Sequence, residues 1–581
     1  MLISRDELNE FSKNADEYII TRNHKSLSEL VEKLTEQDLE FKHPLYKAHY
    51  FYMIANCYSA LYEPRNVEWY SDDLMKAVIF YRKALHSIPK IDWCEDVCNI
   101  HAYENLRTQI LTNLANSLSS QGRILCCIPL YDQAISINNK IEAIASKARN
   151  QLVLAESLYD NGHKEYHYLI AYQHIKDAIK NIDQLFPEQR TDLEGDGYLL
   201  KFKDWFEQSF EVAAFDYFKD ECENFESNEQ KEYLQWCAKN KLFINDLNEV
   251  CEYEISYQDV LALPSFVQSI NTTLTIHEEL SYHGNFDELK NDYCYARYLF
   301  FSAQNISDDA PHFFNSTYQH VDDMSYSFNN LKIGHYKSAF RILYSLFDKV
   351  AYFISRFFNL NEIKDDKMVS IDSLFRNFKC KQWRKNWKPH EKLKDSDNHF
   401  LHALFYILKD IRDVANSSSV SKWIDPDAKA FSDIRNAIEH RSLKIVDDFG
   451  YKLTQSGQSY HKSELNKIEH EIKNVKDELI EINKAEAQAK KDCNDSLIKQ
   501  LEAQKWKLNL KFSELQSKVY EKEKLSSHSL LIPKGQFESR LMTLMQLARN
   551  SIMYLSLAIY FEERKRPSEG IYLSKEVPLK N

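Results

Sequence analysis

The chain has 581 residues, a net charge of −13, and only 10 glycines and 12 prolines. Together these two residues make up about 4% of the chain, where ordinary usage supplies roughly 12%. Tight hairpins draw on both, so a many-stranded fold is excluded and long helices are expected. G-x-G-x-x-G, G-x-x-x-x-G-K-[ST], G-x-S-x-G, H-E-x-x-H and the EF-hand loop are all absent, which removes Rossmann and P-loop nucleotide enzymes and the common zinc hydrolases.

The overall charge conceals a division: residues 1–300 carry a net −20 and residues 301–581 a net +7. A polyanion would therefore be bound by the second half. Eleven cysteines include no C-x-x-C; Cys94 and Cys98 lie four apart and Cys126 and Cys127 are adjacent. Reduced, mostly buried thiols are expected, and no metal site or cofactor. The N-terminus is charged by its fifth residue, and the longest apolar run, near 551–561, falls short of the ~18 residues that span a bilayer. This predicts a soluble, cytoplasmic protein without membrane contact.

The length allows three to five domains, or fewer with a repeat array. Along the acidic half a pattern recurs. The first unit has Ala55 and Tyr58, an insertion around 63–72, then Ala77, Tyr81, Ala84 and Pro89. The second has Leu114-Ala115, Leu118, Gly122, Cys127, Tyr131 and Ala134; the third has Leu154-Ala155, Leu158, Gly162, Ala171, Ile175 and Ala178. Small residues let paired helices approach and aromatics fill the gap to the next pair. These units resemble degenerate tetratricopeptide repeats, with residues 1–37 as a capping pair. Gly122 and Gly162 would mark equivalent inter-helix turns, and Pro129 should delay or kink its helix. Such a solenoid either offers a concave surface to a protein or peptide partner or packs against the chain's own C-terminal half. Residues 198–305 continue in helical, aromatic-rich pattern, with Trp205-Phe206, 215–218 and 293–301 expected as core in a connector.

In the basic half, residues 376–394 hold Arg376, Lys379, Lys381, Arg384, Lys385, Lys388, Lys392 and Lys394 against the single acid Glu391, interleaved with Phe378, Trp383 and Trp387. Cations for phosphate and flat rings for unpaired bases suit single-stranded RNA; the plainer reading is a solvated loop anchored by its tryptophans.

R-x(4–6)-H occurs twice. Arg384–His390 has Pro389 before its histidine and no helical period, so it cannot share a regular helix. Arg435–His440 is different, because Ile434, Ala437, Ile438 and Leu443 recur at helical spacing around it. Imidazole titrates near neutrality and suits proton transfer, so His440 is the candidate acid or base. Guanidinium is always charged and forks onto phosphate oxygens, so Arg435 suits stabilisation of the extra charge on phosphorus. On an ideal helix Asn436 and His440 share a face, whereas Arg435 lies about 140° from His440 and must reach around or meet a second chain. Arg441 adds a cation for RNA, with Glu439 as its possible partner.

Arg435-Asn436 with His440, the preceding helix 402–411, the long apolar helix 339–353 and the final helix 539–561 together resemble the HEPN superfamily. The stretch 289–297 and, more weakly, 242–248 resemble the same branch, one commonly joined to tetratricopeptide repeats. The resemblance implies a helical bundle and a metal-independent endoribonuclease that leaves 2′,3′-cyclic phosphate and 5′-hydroxyl ends. It also implies a homodimer whose two motifs face one cleft, and a role among prokaryotic toxins or antiviral defence effectors. Asn436 would hold phosphate or orient the imidazole. The alternatives are a non-catalytic RNA- or protein-binding scaffold that uses the domain to dimerise, or a nucleotide-regulated version of it.

Between motif and final helix, Leu465, Ile468, Ile472, Val475, Leu479 and Ile482 are answered by Leu501, Leu508, Phe512, Leu515 and Val519, with Lys505 interrupting. This predicts an antiparallel helical hairpin over 460–525 with a linker near 485–495. The expected whole is all-α: repeats over 1–190, a connector over 191–320 and the HEPN domain over 321–581.

Overall fold

The computed structural model describes residues 2–3, 5–36, 39–41, 43–62, 68–88, 97–212, 215, 225–264, 276–308, 312–317, 319, 326–360, 369, 374, 389–411, 426–491, 495–526 and 529–565. Among these residues the fold is all-α, with eighteen helices and two pairs of short parallel strands. Two compact units form. One comprises 1–301, 339–432 and 542–581; the other comprises 302–338 and 433–541. The first takes in helices from all three expected segments.

Eight helices open the first unit: α1 (Arg5–Ile20), α2 (His24–Glu36), α3 (Pro44–Leu61), α4 (Asp72–Ser87), α5 (Val97–Ser120), α6 (Ile124–Asn138), α7 (Ile141–Ser157) and α8 (Asn161–Lys180). Local chemistry sets their ends. Pro44 stands at the first turn of α3, where its missing N–H costs nothing. Ser71 caps α4 by accepting from the Asp73 and Leu74 N–H groups, and Asp160 caps α8 by accepting from the His163 N–H. The small and aromatic residues of the repeat pattern, Ala55, Tyr58, Ala77, Tyr81, Ala84, Leu114, Ala115, Cys127, Tyr131, Ala134, Leu154, Ala155, Ala171, Ile175 and Ala178, are all buried. Six cysteine side chains are described, all unbridged, with Cys57, Cys127 and Cys237 buried.

Two local expectations change. Gly122 lies in the α5–α6 turn with φ +75°, and a Cβ there would collide with the His399 carbonyl. Gly162 instead falls inside the first turn of α8 without a left-handed backbone, because the Asp160 cap starts that helix earlier. The two turns are not equivalent. Pro129 neither delays α6, which starts at Ile124, nor ends it; it sits in the second turn, where one intrahelical bond is forfeited.

Next come α9 (Tyr198–Ser209), α10 (Asn228–Lys239) and α11 (Ile276–Gln304). Phe206, Tyr293, Phe300 and Phe301 are core, but Trp205, Tyr295 and Tyr298 are exposed. The expected continuity of helix fails over 240–264, where the described backbone holds only short 3₁₀ turns. That segment is nevertheless buried from Leu242 through Glu249, so its polar backbone needs partners other than helix. Side chains supply them. Tyr293 and Arg297 donate to the Leu242 carbonyl at 2.8 and 2.9 Å, and Arg549 donates to the Phe243 and Asn245 carbonyls at 2.7 and 2.9 Å. The two stretches with the fainter family resemblance, 242–248 and 289–297, are thus in direct contact.

The remaining helices are α12 (Leu331–Phe357), α13 (Glu391–Lys394), α14 (His399–Ile411), α15 (Pro426–His440), α16 (Asp448–Lys491), α17 (Asp495–Ser526) and α18 (Lys534–Arg564). Helices α16 and α17 form the hairpin. The expected linker at 485–495 is helical through Lys491, and 492–494 lie outside the described residues. Lys505, which interrupts the apolar seam, donates to the buried Glu486 at 2.9 Å, so the interruption is a paired charge. Among the described residues no helix is long and apolar enough to cross a membrane.

In the first unit the helices and turns over 44–180 pack on the chain's own later helices. Arg82 and Arg123 grip Asp410 of α14 at 2.9 and 2.5 Å. The Trp69 ring stacks on His402 at 4.0 Å, and the Tyr406 hydroxyl donates to the Trp69 carbonyl at 2.8 Å. Asn550 of α18 donates to Cys126 at 3.5 Å, and Tyr159 meets Tyr560 edge to face.

Candidate active site

Of the apolar spacing read from the sequence, Ile434, Ala437 and Leu443 are buried and Ile438 is half-buried, and helix α15 also buries Phe431. The same periodicity turns Asn436, Glu439 and His440 to solvent and leaves Arg435 half-buried. His440 is the last residue of the helix. Exposed Arg441 and Ser442 follow, and the chain then enters a strand, Leu443–Val446, paired in parallel register with Leu530–Pro533. The helix end is therefore held from both sides: by the apolar stripe before it and by the ladder after it. Lys337 adds a bond to the Leu443 carbonyl at 2.8 Å.

Arg435 Nη1 donates to Asn436 Oδ1 at 3.2 Å. This contact turns the guanidinium toward the Asn436–His440 side of the helix, which shortens the reach that ideal helical geometry demands. The three expected side chains thus lie within one turn and a half at the end of the helix, with Asn436 and His440 exposed and Arg435 half-buried beside them. Of the expected RNA-binding residues Arg441 is exposed beside them. Arg376, Lys379, Lys381, Trp383, Arg384, Lys385, Trp387 and Lys388 lie outside the described residues. The second R-x(4–6)-H pair is accounted for at its histidine, since buried His390 caps α13 by accepting from the Lys392 N–H at 3.2 Å.

The model of the LA2681-like HEPN family matches residues 273–480. That span is similar to HEPN domains. The HEPN-like span contains α12, α14 and the motif helix, and it stops short of α18 and of the 242–248 stretch. No curated protein and no solved structure matches the chain.

Sequence reasoning missed a buried cluster in the first unit. His163 Nδ1 and His167 Nε2 lie 2.9 and 3.1 Å from the carboxylate of Asp246, and His167 Nδ1 lies 2.7 Å from Gln151 Oε1. Burial pushes the Asp246 carboxyl up, but the two histidines more than offset this and hold it well below the usual range. The i, i+4 pair on α8 was the available signal, but its partner is 79 residues from His167 in sequence. No group of three or more His, Cys, Asp or Glu side chains suited to a metal occurs among the described residues.

Proposed function

We propose that the chain is a metal-independent endoribonuclease acting as a homodimer. What supports this reading is that exposed His440 and Asn436, the latter bonded by half-buried Arg435, lie in the last two turns of α15 within the span that matches a HEPN family. His440 takes the 2′-hydroxyl proton or protonates the departing 5′-oxygen, and its counterpart in a second chain performs the complementary transfer. Arg435 holds the charge that builds on phosphorus, and Asn436, bonded to Arg435, keeps the guanidinium aimed. The products are a 2′,3′-cyclic phosphate and a 5′-hydroxyl, and neither cofactor nor metal takes part.

Arg441 and the basic, tryptophan-bearing stretch 376–388 guide single-stranded RNA to this end. The helix pairs over 44–180, read as tetratricopeptide-like repeats, regulate the nuclease through a protein or peptide partner, the arrangement of a toxin or antiviral effector in the cytoplasm. Their grip on α14, the helix that precedes the motif helix in the chain, supports a regulatory role. A purified-protein assay in EDTA tests the reading. Cleavage by the native chain that is lost in His440→Ala, with unchanged thermal melting, supports it; cleavage undiminished in that variant contradicts it.

A further inference from the structure

Four aromatic rings of the second unit stand in solvent. Tyr326 is 49% exposed, Phe449 62%, Phe313 81% and Phe314 52%. They are not scattered. Tyr326 and Phe449 meet edge to face at 5.5 Å, and Asn315 ties the turn carrying Phe313 and Phe314 to the Asn329 carbonyl at 2.9 Å.

The backbone holds Tyr326 out at a cost. Its φ is +53°, a left-handed conformation that bulky side chains rarely adopt. Two bonds anchor the backbone from Tyr326 onward: Asp447 N–H donates to the Tyr326 carbonyl at 3.4 Å, and Phe328 N–H donates to the Ile445 carbonyl at 2.8 Å. The strained residue carries a ring that stays half in solvent beside Phe449, and such strain collects at functional positions.

Phe449 also stands on the chain segment that leaves the motif, and Tyr326 is bonded against that segment. The strand Leu443–Val446 begins three residues after His440, and Ser327 bridges Val446 at its far end. From Arg441 to Asp447 an extended chain covers at most about 20 Å, the reach of a few nucleotides. Acidic Asp447 and Asp448 precede Phe449 in the chain. They repel a phosphate but not a base, so the rings suit the flat face of a nucleobase whose backbone lies toward Arg441.

We propose that Tyr326 and Phe449, with Phe313 and Phe314 beyond them, form a stacking platform for unpaired bases of the RNA that flank the scissile phosphate. This rests on the nuclease reading above and adds a binding site for the bases next to the cut, held by stacking without sequence readout. Duplex RNA cannot offer its base faces and is a poor ligand for this surface.

The test uses the full chain in a His440→Ala background, so that binding is read without cleavage, and an unstructured RNA of about twelve nucleotides carrying 2-aminopurine. Tyr326→Gly removes the ring and relieves the positive φ, and Phe449→Ala removes its neighbour. The proposal expects binding weakened roughly tenfold or more, loss of 2-aminopurine quenching, an unchanged or higher melting temperature for Tyr326→Gly, and rescue by Tyr326→Phe. Unchanged binding overturns it. So does a fall in melting temperature for Tyr326→Gly that accompanies the loss of binding, because the ring is then structural, and so does a change in oligomeric state alone, because the surface then serves a second copy. The two readings fail separately: ring-dependent binding with no cleavage by the native chain removes the nuclease, whereas cleavage with ring-independent binding removes the platform.

Discussion

At the scale of single residues, the proposed chemistry depends on what each side chain can do that its neighbours cannot. Arg435 is asked to fork onto phosphate, a geometry that lysine lacks, so Arg435→Lys should lower cleavage about a hundredfold while leaving the melting temperature unchanged. A variant that retains full activity would assign the charge stabilisation elsewhere. His440 was legible because its helix repeats an apolar period, with Ile434 and Ala437 buried as that period requires. The contact from Arg435 to Asn436 was not, since the position of a flexible guanidinium is no property of spacing. Gly122 was legible as a turn but not as a contact. Its φ of +75° and the His399 carbonyl packed against it leave no room for a methyl group, so Gly122→Ala should cost about 2–3 kcal/mol in urea unfolding.

At the scale of elements, the repeats hold α14 with charge as well as with apolar surface. Arg123 is 1% exposed and depends on Asp410. Burial pushes that carboxyl up, but Arg82 and Arg123 offset this and hold it low. Asp410→Ala strands a buried guanidinium and should destabilise the chain by about 3–5 kcal/mol; a loss below about 1 kcal/mol would mean that water reaches Arg123. His402 gives the same contact a pH dependence. Burial lowers its pKa to about 4, although the Ser396 carbonyl pulls the other way. The folded state thus favours the neutral ring: its contribution is complete above the ordinary value near 6.5 and fades as pH falls toward 4, by about 2 kcal/mol at pH 5. Denaturant unfolding at pH 7.5 and pH 5 should show a smaller acid loss in His402→Phe than in the native chain, and equal losses would assign the effect to other groups. The pairing of α5 with α6 and of α7 with α8 could be foreseen from local spacing. The grip on Asp410 could not, because it joins residues 287 and 328 positions apart that no periodicity relates.

At the scale of the whole chain, composition foretold an all-α protein but not what glycine scarcity does not govern: the short parallel ladder 443–446 with 530–533, like the smaller one 2–3 with 40–41, and the irregular stretch 240–264, buried over 242–249. Both depend on partners far away in sequence, Leu530–Pro533 for the first and Arg297 and Arg549 for the second. The sequence drew a domain over 321–581, and α14 and the later part of α18 belong to the same compact unit as α1–α8. A fragment of 321–581 should therefore lack a cooperative thermal transition that the full chain shows, and a sharp transition in the fragment would contradict this. The central claim, that His440 performs chemistry on RNA, is tested most directly by end-group analysis of single-stranded RNA incubated in EDTA with the native chain and with His440→Ala. The account predicts 2′,3′-cyclic phosphate and 5′-hydroxyl ends from the native chain and intact RNA with the variant; the same ends at the same rate from His440→Ala would contradict it.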